Sequence, residues 1–425
     1  MATISAPFVS SPLISPRRVF WATWAGWMLD GFDSAAYGLL LVSAFSELLP
    51  MSGIEASKAN VALYGGLGFS IFMLGWAFAM FWGWLADRIG RVRAMCLTIL
   101  VYSIFTALCG LAVGAASFLV LRFFVGFGVG GEWAAGTPLL HESVPESMRV
   151  RLAGWLHTAT PVGIILASAA ALVVVPLAGW RGMFLIGILP ALLTIYLRRR
   201  IPEPPRPARA DRVPTIRPLF TGSQTRVTVS AALMIACGLL GVWSSSFWIP
   251  TVVATKYLAT GHSLAYAQQM ASTASLATNF GTLAGCLIVP WVVTLLGGRK
   301  ITAIVFFAAS LICNVLAYYV ILDRLDDIQL FLITVPVLGF FTNGVFALFT
   351  IWLPELFSGA SRGSGLGFTF SLGRVLAAAG PFLIGAIAAQ IGSYPIAITL
   401  ISAIYIPGLL FVVLCRETTG KALPA

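Results

Sequence analysis

The chain has 425 residues, of which 59% are hydrophobic and only 10% are charged, and its formal net charge is +11 at pH 7. Soluble proteins carry about 25% charged residues. These values exclude a large soluble domain and indicate a membrane protein, in which excess positive charge reports orientation rather than nucleic-acid binding.

Twelve apolar segments recur along the chain, each close to the roughly 20 residues that a helix needs to cross a bilayer. They are long and continuous, whereas strands of a membrane barrel alternate over about ten residues. The sequence therefore predicts an all-α membrane protein. Its predicted spans 1 to 12 are 19–43, 61–82, 94–113, 117–140, 151–174, 180–198, 228–254, 266–294, 301–321, 328–351, 363–388 and 395–415.

Lysine and arginine predict the orientation. Of the 26 such residues, 20 lie in the terminal segments and the loops on their side, 4 lie in the opposite loops, and 2 lie inside spans. The positive-inside rule then predicts a multi-pass protein of the cytoplasmic (inner) membrane with both termini cytoplasmic. The six cysteines show no metal or disulfide spacing, so we expect them to be packing residues, with no metal and no cofactor.

A segment rich in proline and arginine, RRRIPEPPRPARADRVPTIRPLF at 198–220, divides the spans into two groups of six. Such a segment behaves as an extended linker. The sequence thus predicts an N-terminal half at 1–198, a cytoplasmic linker at 199–226 and a C-terminal half at 227–425. Two equal halves with a binding site between them are typical of secondary transporters.

Span 1 reads WAGWMLDGFDSAAYG and carries two aspartates, Asp30 and Asp33, on one helical face. Asp30 lies roughly 15 Å along the helix, near the middle of the bilayer, where a carboxylate is costly and usually functional. Arg122 in span 4 is the natural counter-ion. The three residues are predicted to couple transport to protons, and the alternative is an inert ion pair that fixes helix packing.

The loop after span 2 reads GWLADRIGRVR, and it resembles the signature loop of the major facilitator superfamily through Gly83, Asp87, Arg88, Gly90 and Arg91. This resemblance implies that fold, with an inner gate at this loop. The Glu142–Arg149 spacing after span 4 recurs as Glu355–Arg362 after span 10, which suggests clamps that break when the halves rock. Glu132 in span 4 is predicted to act in gating rather than in substrate contact.

DGFD in span 1 and GGEW in span 4 resemble the aromatic-acid:proton symporters and the neighbouring sialate, lactate and other organic-acid symporters. In the related proton–sugar symporters, an aspartate in this context pairs with a span 4 arginine, which implies the coupling role for Asp33 and Arg122. Asp30 is left open between sharing the proton and contacting the substrate.

Arg374 in span 11 lies at mid-membrane depth, and no acid of the second half is near it in sequence. A substrate carboxylate would satisfy such a guanidinium with paired hydrogen bonds, and the alternative is a bond to backbone carbonyls or to an acid of the first half. Further substrate-contact candidates are aromatic and amide side chains in the spans that would surround a cavity: Tyr37, Tyr64, Trp243, Trp248, Asn279 and Asn343.

The predicted function is a proton-coupled symporter that imports a small organic acid by alternating access, as a monomer with no nucleic-acid partner. One alternative is a proton-coupled drug or metabolite antiporter, and another is a transporter-like sensor that binds ligand without flux. The chain has no phosphate-binding GxxxxGK[ST] motif and no catalytic triad pattern, so neither ATP-driven transport nor an enzyme is expected.

Overall fold

The computed structural model describes residues 16–143, 152, 155–201, 203, 217–357 and 362–420, and these residues are almost entirely helical. In the first half, span 1 is Pro16–Met51, span 2 is Lys58–Ala77 continued by Ala79–Ile89, span 3 is Arg91–Cys109 and span 4 is Ala115–Ser143. Spans 5 and 6 share Ala159–Leu185, and span 6 continues through Ile186–Ile188 and Ala191–Arg200.

The second half repeats this plan. Span 7 consists of Ser223–Ser245, Ser246–Trp248 and Ile249–Ala259, and span 8 is Leu264–Leu295. Span 9 is Arg299–Asn314 followed by a π-helix, Val315–Arg324, and span 10 is Ile328–Trp352 with Leu353–Leu356. Span 11 is Arg362–Ala377 with Ala379–Ile391, and span 12 is Tyr394–Ser402 with Tyr405–Leu414. A short helix, Arg217–Phe220, precedes span 7.

Eleven continuous segments of the described chain are long and apolar enough to cross a membrane. One of them contains two spans, because Gly179 breaks the helix Ala159–Leu185 with φ 65° and ψ −170°. That backbone conformation is open to glycine and strained for other residues, so Gly179 turns the chain between spans 5 and 6. The predicted all-α fold with twelve spans is confirmed.

Glycines let the helices approach closely, as transmembrane packing requires. A Cβ on Gly126 of span 4 would lie 1.9 Å from the carbonyl oxygen of Phe72 in span 2. One on Gly163 of span 5 would lie 1.8 Å from the carbonyl oxygen of Met28 in span 1. These contacts hold the helix of Arg122 against span 2 and the helix of Asp30 and Asp33 against span 5.

Because the chain crosses the bundle twelve times, residues 16 and 414 lie at one end, called here the termini end. The hydrogen bonds described between the two halves lie from the middle of the bundle toward the opposite end. Ser43 donates to Gln268 at 3.1 Å, Ser168 donates to Ser275 at 2.9 Å, and the backbone N–H of Phe382 donates to Ser70 at 3.1 Å. The halves are therefore closed together at the opposite end.

Candidate functional site

A cavity of about 220 Å³ lies between the halves and reaches from the middle of the bundle toward the termini end. Its lining comes from spans 1, 2 and 5 of the first half and spans 7, 8, 10 and 11 of the second. Asp30 of the first half lines this cavity together with four predicted site residues of the second half, namely Trp243, Asn279, Asn343 and Arg374. A site between the halves is where an alternating-access transporter binds its cargo.

Arg374 is the cavity's buried cation, with 6% of its surface exposed. Its guanidinium lies 4.6 Å from the centre of the Trp76 ring, which belongs to the other half, and 5.6 Å from that of Phe370. Asp30 is close enough to act on it electrostatically. The guanidinium thus lies at the boundary of the two halves, where a bound anion would touch both.

The rest of the wall combines aromatic rings with amide and hydroxyl groups. Trp243 packs on Trp76 with ring centres 6.1 Å apart. Asn343 donates to Ser246 at 3.0 Å, and Asn279 donates to the carbonyl of Ser275 at 2.9 Å. The hydrogen bonds described for both amides are donated by their NH₂ groups, which leaves the amide oxygens as acceptors toward a ligand.

Asp33 and Arg122 meet outside the cavity, in the interior of the first half. The carboxylate and guanidinium are 3.8 Å apart, and the two side chains are 3% and 0% exposed. Thr106 of span 3 donates a hydrogen bond to Asp33. The structure therefore brings together the two residues that the sequence pairs, and it adds a hydroxyl donor that sequence spacing gives no means of finding.

Arg122 is held mainly by aromatic faces. Its guanidinium lies 4.4 Å from the centre of the Tyr37 ring and 4.5 Å from that of Phe72. Within the part of the chain that the structure describes, none of its three nitrogens makes a hydrogen bond. Cation–π contacts of this kind are worth about 2 kcal/mol when desolvated. They allow Arg122 to stay buried with only a long ion pair to Asp33.

Three predicted substrate contacts lie outside the cavity lining. Tyr37 donates to the carbonyl of Gly65 at 2.7 Å and stacks with Phe247 at 5.9 Å, in an aromatic layer between the cavity and the opposite end. Trp248 is fully buried and packs on Tyr394, and Tyr64 packs on Phe45. Residue type alone suggests that these rings line the cavity. The rotation of each helix about its axis instead directs them into the packing beside the cavity.

The predicted inner-gate loop, between spans 2 and 3, contacts Glu203, which follows span 6 in the predicted linker. Gly90 has φ 108°, and a Cβ there would lie 2.5 Å from the carboxyl carbon of Glu203. Glu203 accepts hydrogen bonds from the backbone N–H groups of Val92 and Arg93 at 3.1 and 2.8 Å, at the start of span 3. Arg88 lies over the Trp84 ring at 4.1 Å. A carboxylate at a helix N-terminus is favourable because of the helix dipole.

The second half contains the same arrangement, with Glu417 at the start of span 9. Its carboxylate accepts hydrogen bonds from the backbone N–H groups of Arg299 and Lys300 at 3.2 and 2.9 Å. Partial burial opposes its ionisation, but hydrogen bonds from Thr419 and from these N–H groups outweigh that effect and lower the pKa of Glu417 to about 2. Glu203 and Glu417 are not among the sequence-predicted residues, although each follows the last span of its half.

Glu355 forms its ion pair with Arg299, at 3.0 Å and 3.2 Å to the two carboxylate oxygens, within the second half. The side chains of Asp87, Glu142 and Arg362 and the whole of Arg149 lie outside the described residues, so the predicted clamps that involve them stay predictions. Gly83 lies in the helix Ala79–Ile89, and Arg91 begins span 3.

Glu132 lies in span 4, beside span 1, and is fully buried. It lies beside Asp30 in the interior of the first half, and its gating role stays a prediction. Within the described residues, no group of three or more His, Cys, Asp or Glu side chains has a metal-binding arrangement.

Comparison with known proteins places these observations in a family. The family model described as Major Facilitator Superfamily matches residues 23–324. The putative niacin/nicotinamide transporter of Bacillus subtilis is 26% identical over 413 residues, which is 96% of both chains. The cis,cis-muconate transport protein of Acinetobacter baylyi is 27% identical over 389 residues, which is 89% of each chain.

Among solved structures, the proton:xylose symporter bound to 6-bromo-6-deoxy-D-glucose matches with a TM-score of 0.73. The match is 17% identical and covers 96% of this chain and 97% of that one. At this level of identity the likeness concerns the fold alone.

Proposed function

Because the chain belongs to the Major Facilitator Superfamily of membrane transporters, we propose that it carries a small organic acid across the cytoplasmic membrane together with protons. The observation that carries this proposal is the buried guanidinium of Arg374 in the wall of a cavity between the halves. A carboxylate satisfies such a group with two parallel hydrogen bonds.

The aromatic lining of the cavity favours a planar acid. Trp76 and Phe370 lie against the guanidinium and Trp243 packs on Trp76. A flat substrate can stack on such rings, and aromatic pairs contribute about 1 kcal/mol beyond the area that they bury. The amide oxygens of Asn279 and Asn343 would accept from a ring hydroxyl or N–H group. The names of the two relatives, a putative niacin/nicotinamide transporter and a cis,cis-muconate transport protein, include the carboxylates niacin and muconate and support this chemical class.

The proposed coupling group is Asp33. In its ionised form it holds Arg122 by charge, and a proton on Asp33 removes that attraction while Thr106 remains its neighbour. Arg122 then rests on Tyr37 and Phe72 alone, and Tyr37 stacks on Phe247 of the other half. Protonation of Asp33 therefore weakens a series of contacts, from Arg122 through Tyr37 to Phe247, which ends at the aromatic layer between the cavity and the opposite end.

The proposed orientation places both termini in the cytoplasm, as the distribution of lysine and arginine predicts. The closed end with the Ser43–Gln268 hydrogen bond then faces outward. This structure would be the inward-facing state of the cycle. Proton and acid would enter from outside when the halves rock apart there and leave toward the cytoplasm.

Binding to purified protein tests the anion site. We expect nicotinate to bind and its neutral amide, nicotinamide, to bind at least tenfold more weakly. Replacing Arg374 by Ala should weaken nicotinate binding about 100-fold, because charged hydrogen bonds are worth about 1.5–3 kcal/mol. Isothermal titration calorimetry measures these affinities.

Arg374→Lys is the matched control, because it keeps the charge and loses the planar fork, so it should bind with intermediate affinity. If Arg374→Ala binds nicotinate as tightly as the unaltered protein, the carboxylate does not bind at this guanidinium. A planar acid with a different ring can be substituted as the probe if nicotinate itself does not bind to the unaltered protein.

A further inference from the structure

The carboxyl group of Glu132 occupies a slot in span 1 that exists only because residue 26 is glycine. A Cβ on Gly26 would lie 1.5 Å from Oε1 and 2.6 Å from the carboxyl carbon of Glu132. Gly26 lies one helical turn before Asp30, on the same face of span 1. The slot therefore holds the Glu132 carboxyl against span 1 beside Asp30.

The carboxyl groups of Asp30 and Glu132 lie close enough to interact directly. Neither oxygen of Glu132 accepts from an N–H group or a hydroxyl within the part of the chain that the structure describes, and Oδ1 of Asp30 is buried as well. A carboxylate can only accept hydrogen bonds. Two carboxyl groups can therefore bond to each other only when one of them carries a proton, since like charges at this range in a dry interior repel strongly.

Within the described residues, the charged groups that act on Asp30 are Glu132, Asp33 and Arg374. Asp33, one turn further along span 1, adds negative charge, and Arg374 across the cavity is the cation that acts on Asp30. Arg122, on the same helix as Glu132, is 3.8 Å from Asp33.

A phenol and an imidazole belong to the same region. The phenol of Tyr102 in span 3 is within electrostatic range of Glu132 and Asp30. His157, at the start of span 5, faces the cavity and packs edge-on against Trp27 at 5.4 Å.

We propose that Asp30 and Glu132 form a second proton site, distinct from Asp33, in which the two carboxyl groups share one proton and so control the availability of Arg374 to a substrate carboxylate. With the proton bound, the pair carries a single negative charge that is engaged in the bond between the two carboxyl groups, so Asp30 competes less for the guanidinium. When the proton leaves, the pair becomes doubly negative and Asp30 competes with the substrate for Arg374. The part that concerns the substrate rests on the function proposed above.

Infrared spectroscopy of the substrate-free protein in lipid nanodiscs tests the shared proton without any transport assay. At neutral pH the unaltered protein should show the carbonyl band of a protonated carboxylic acid. Glu132→Gln and Asp30→Asn should each remove this band. The new amide donates a hydrogen bond to the remaining carboxylate, which then no longer needs a proton to form that bond. Asp33→Asn is the matched control and should leave the band in place.

Gly26→Ala provides a variant that keeps both acids. Its added methyl group occupies the position of the Glu132 carboxyl, which lies at the far end of a flexible side chain and can move away. The band should therefore be lost or shifted in Gly26→Ala, although no carboxyl group has been removed. Persistence of the band in both Glu132→Gln and Asp30→Asn, or its loss in Asp33→Asn alone, would overturn the proposal.

Nicotinate binding measured against pH tests the link to Arg374. Affinity should fall with rising pH by up to tenfold per pH unit, the limit for one proton bound with each ligand, and Glu132→Gln should flatten this slope. An unchanged slope in Glu132→Gln would refute the control of Arg374 by the pair. If no carboxylate binds at all, the proposed function fails, while the infrared result still decides the shared proton.

Discussion

At the scale of single residues, the interior of the first half holds its charges with few hydrogen bonds. Arg122 lies between the Tyr37 and Phe72 rings and 3.8 Å from Asp33. Removing one partner of a buried ion pair typically costs 3–5 kcal/mol. Protonation of Asp33 likewise leaves Arg122 without its counter-charge, and the two ring contacts offset part of that cost. The aromatic contacts thus make the ion pair breakable, as a coupling device requires.

Asp33→Asn should abolish uphill uptake of nicotinate while leaving counterflow exchange within about twofold of the unaltered protein. The amide mimics a permanently protonated aspartate and keeps the hydrogen-bonding neighbours, so only the response to protons is lost. Uptake and counterflow in the same proteoliposomes measure the two activities.

Asp323→Asn is the matched control, because Asp323 lies in span 9, 3.9 Å from Arg324 and far from the cavity lining. It should leave both activities unchanged. Retention of uphill uptake by Asp33→Asn would refute the coupling role.

At the scale of helices, glycine decides how the halves close. A Cβ on Gly66 of span 2 would lie 2.4 Å from the carbonyl oxygen of Pro381 in span 11. The added Cβ and the carbonyl oxygen would both be attached to helix backbone, so neither could move without its helix. The contact between spans 2 and 11 near the opposite end depends on the absence of a side chain at residue 66.

Gly66→Ala should hold the two halves apart at this end and slow uptake at least tenfold, with the protein still folded. Spin labels on spans 2 and 11 would measure the separation by electron paramagnetic resonance. Gly367→Ala in span 11 is the control, since a Cβ there meets no atom within 4 Å. Equal separation and uptake in the two variants would contradict this account of closure.

Glu417 provides a pH prediction outside the spans. Its pKa is lowered to about 2, from a usual value of 4.5, so its stabilising effect is complete above about pH 4.5 and is lost as pH falls toward 2. Glu417→Gln should therefore lower stability by about 1 kcal/mol across the neutral range. The difference should disappear at the acid end.

Thermal unfolding of Glu417→Gln against pH measures this effect, with Glu55→Gln as the control at an exposed position. A stability difference that grows as pH falls would show that the carboxylate is not held in its ionised form by the start of span 9.

At the scale of the whole molecule, hydrophobicity predicts the fold nearly completely. Each predicted span has a helical counterpart, and the least obvious boundary, at Gly179, follows from a glycine in a conformation that other residues avoid. The resemblance to proton symporters also predicts the pairing of Asp33 with Arg122. These features follow from sequence because they depend on local periodicity and on the high cost of an unpaired charge in lipid.

The rest of the site depends on helix rotation and packing, which one sequence does not specify. Trp243 lines the cavity while Trp248, five residues later, packs on Tyr394. The sequence predicts a gating role for Glu132. It does not show that Gly26, on another helix, makes room for the Glu132 carboxyl beside Asp30. The contact between Arg374 and Trp76 crosses the halves and is invisible to sequence spacing.

The most direct test of the proposed function is nicotinate uptake into proteoliposomes under an imposed proton gradient, with internal pH recorded at the same time. The account predicts that a gradient directed inward drives nicotinate above its external concentration, that protons enter with it, and that a protonophore abolishes the accumulation. Accumulation driven by the opposite gradient would show an antiporter. Binding of nicotinate without any flux would show a sensor, and either result would contradict proton-coupled uptake.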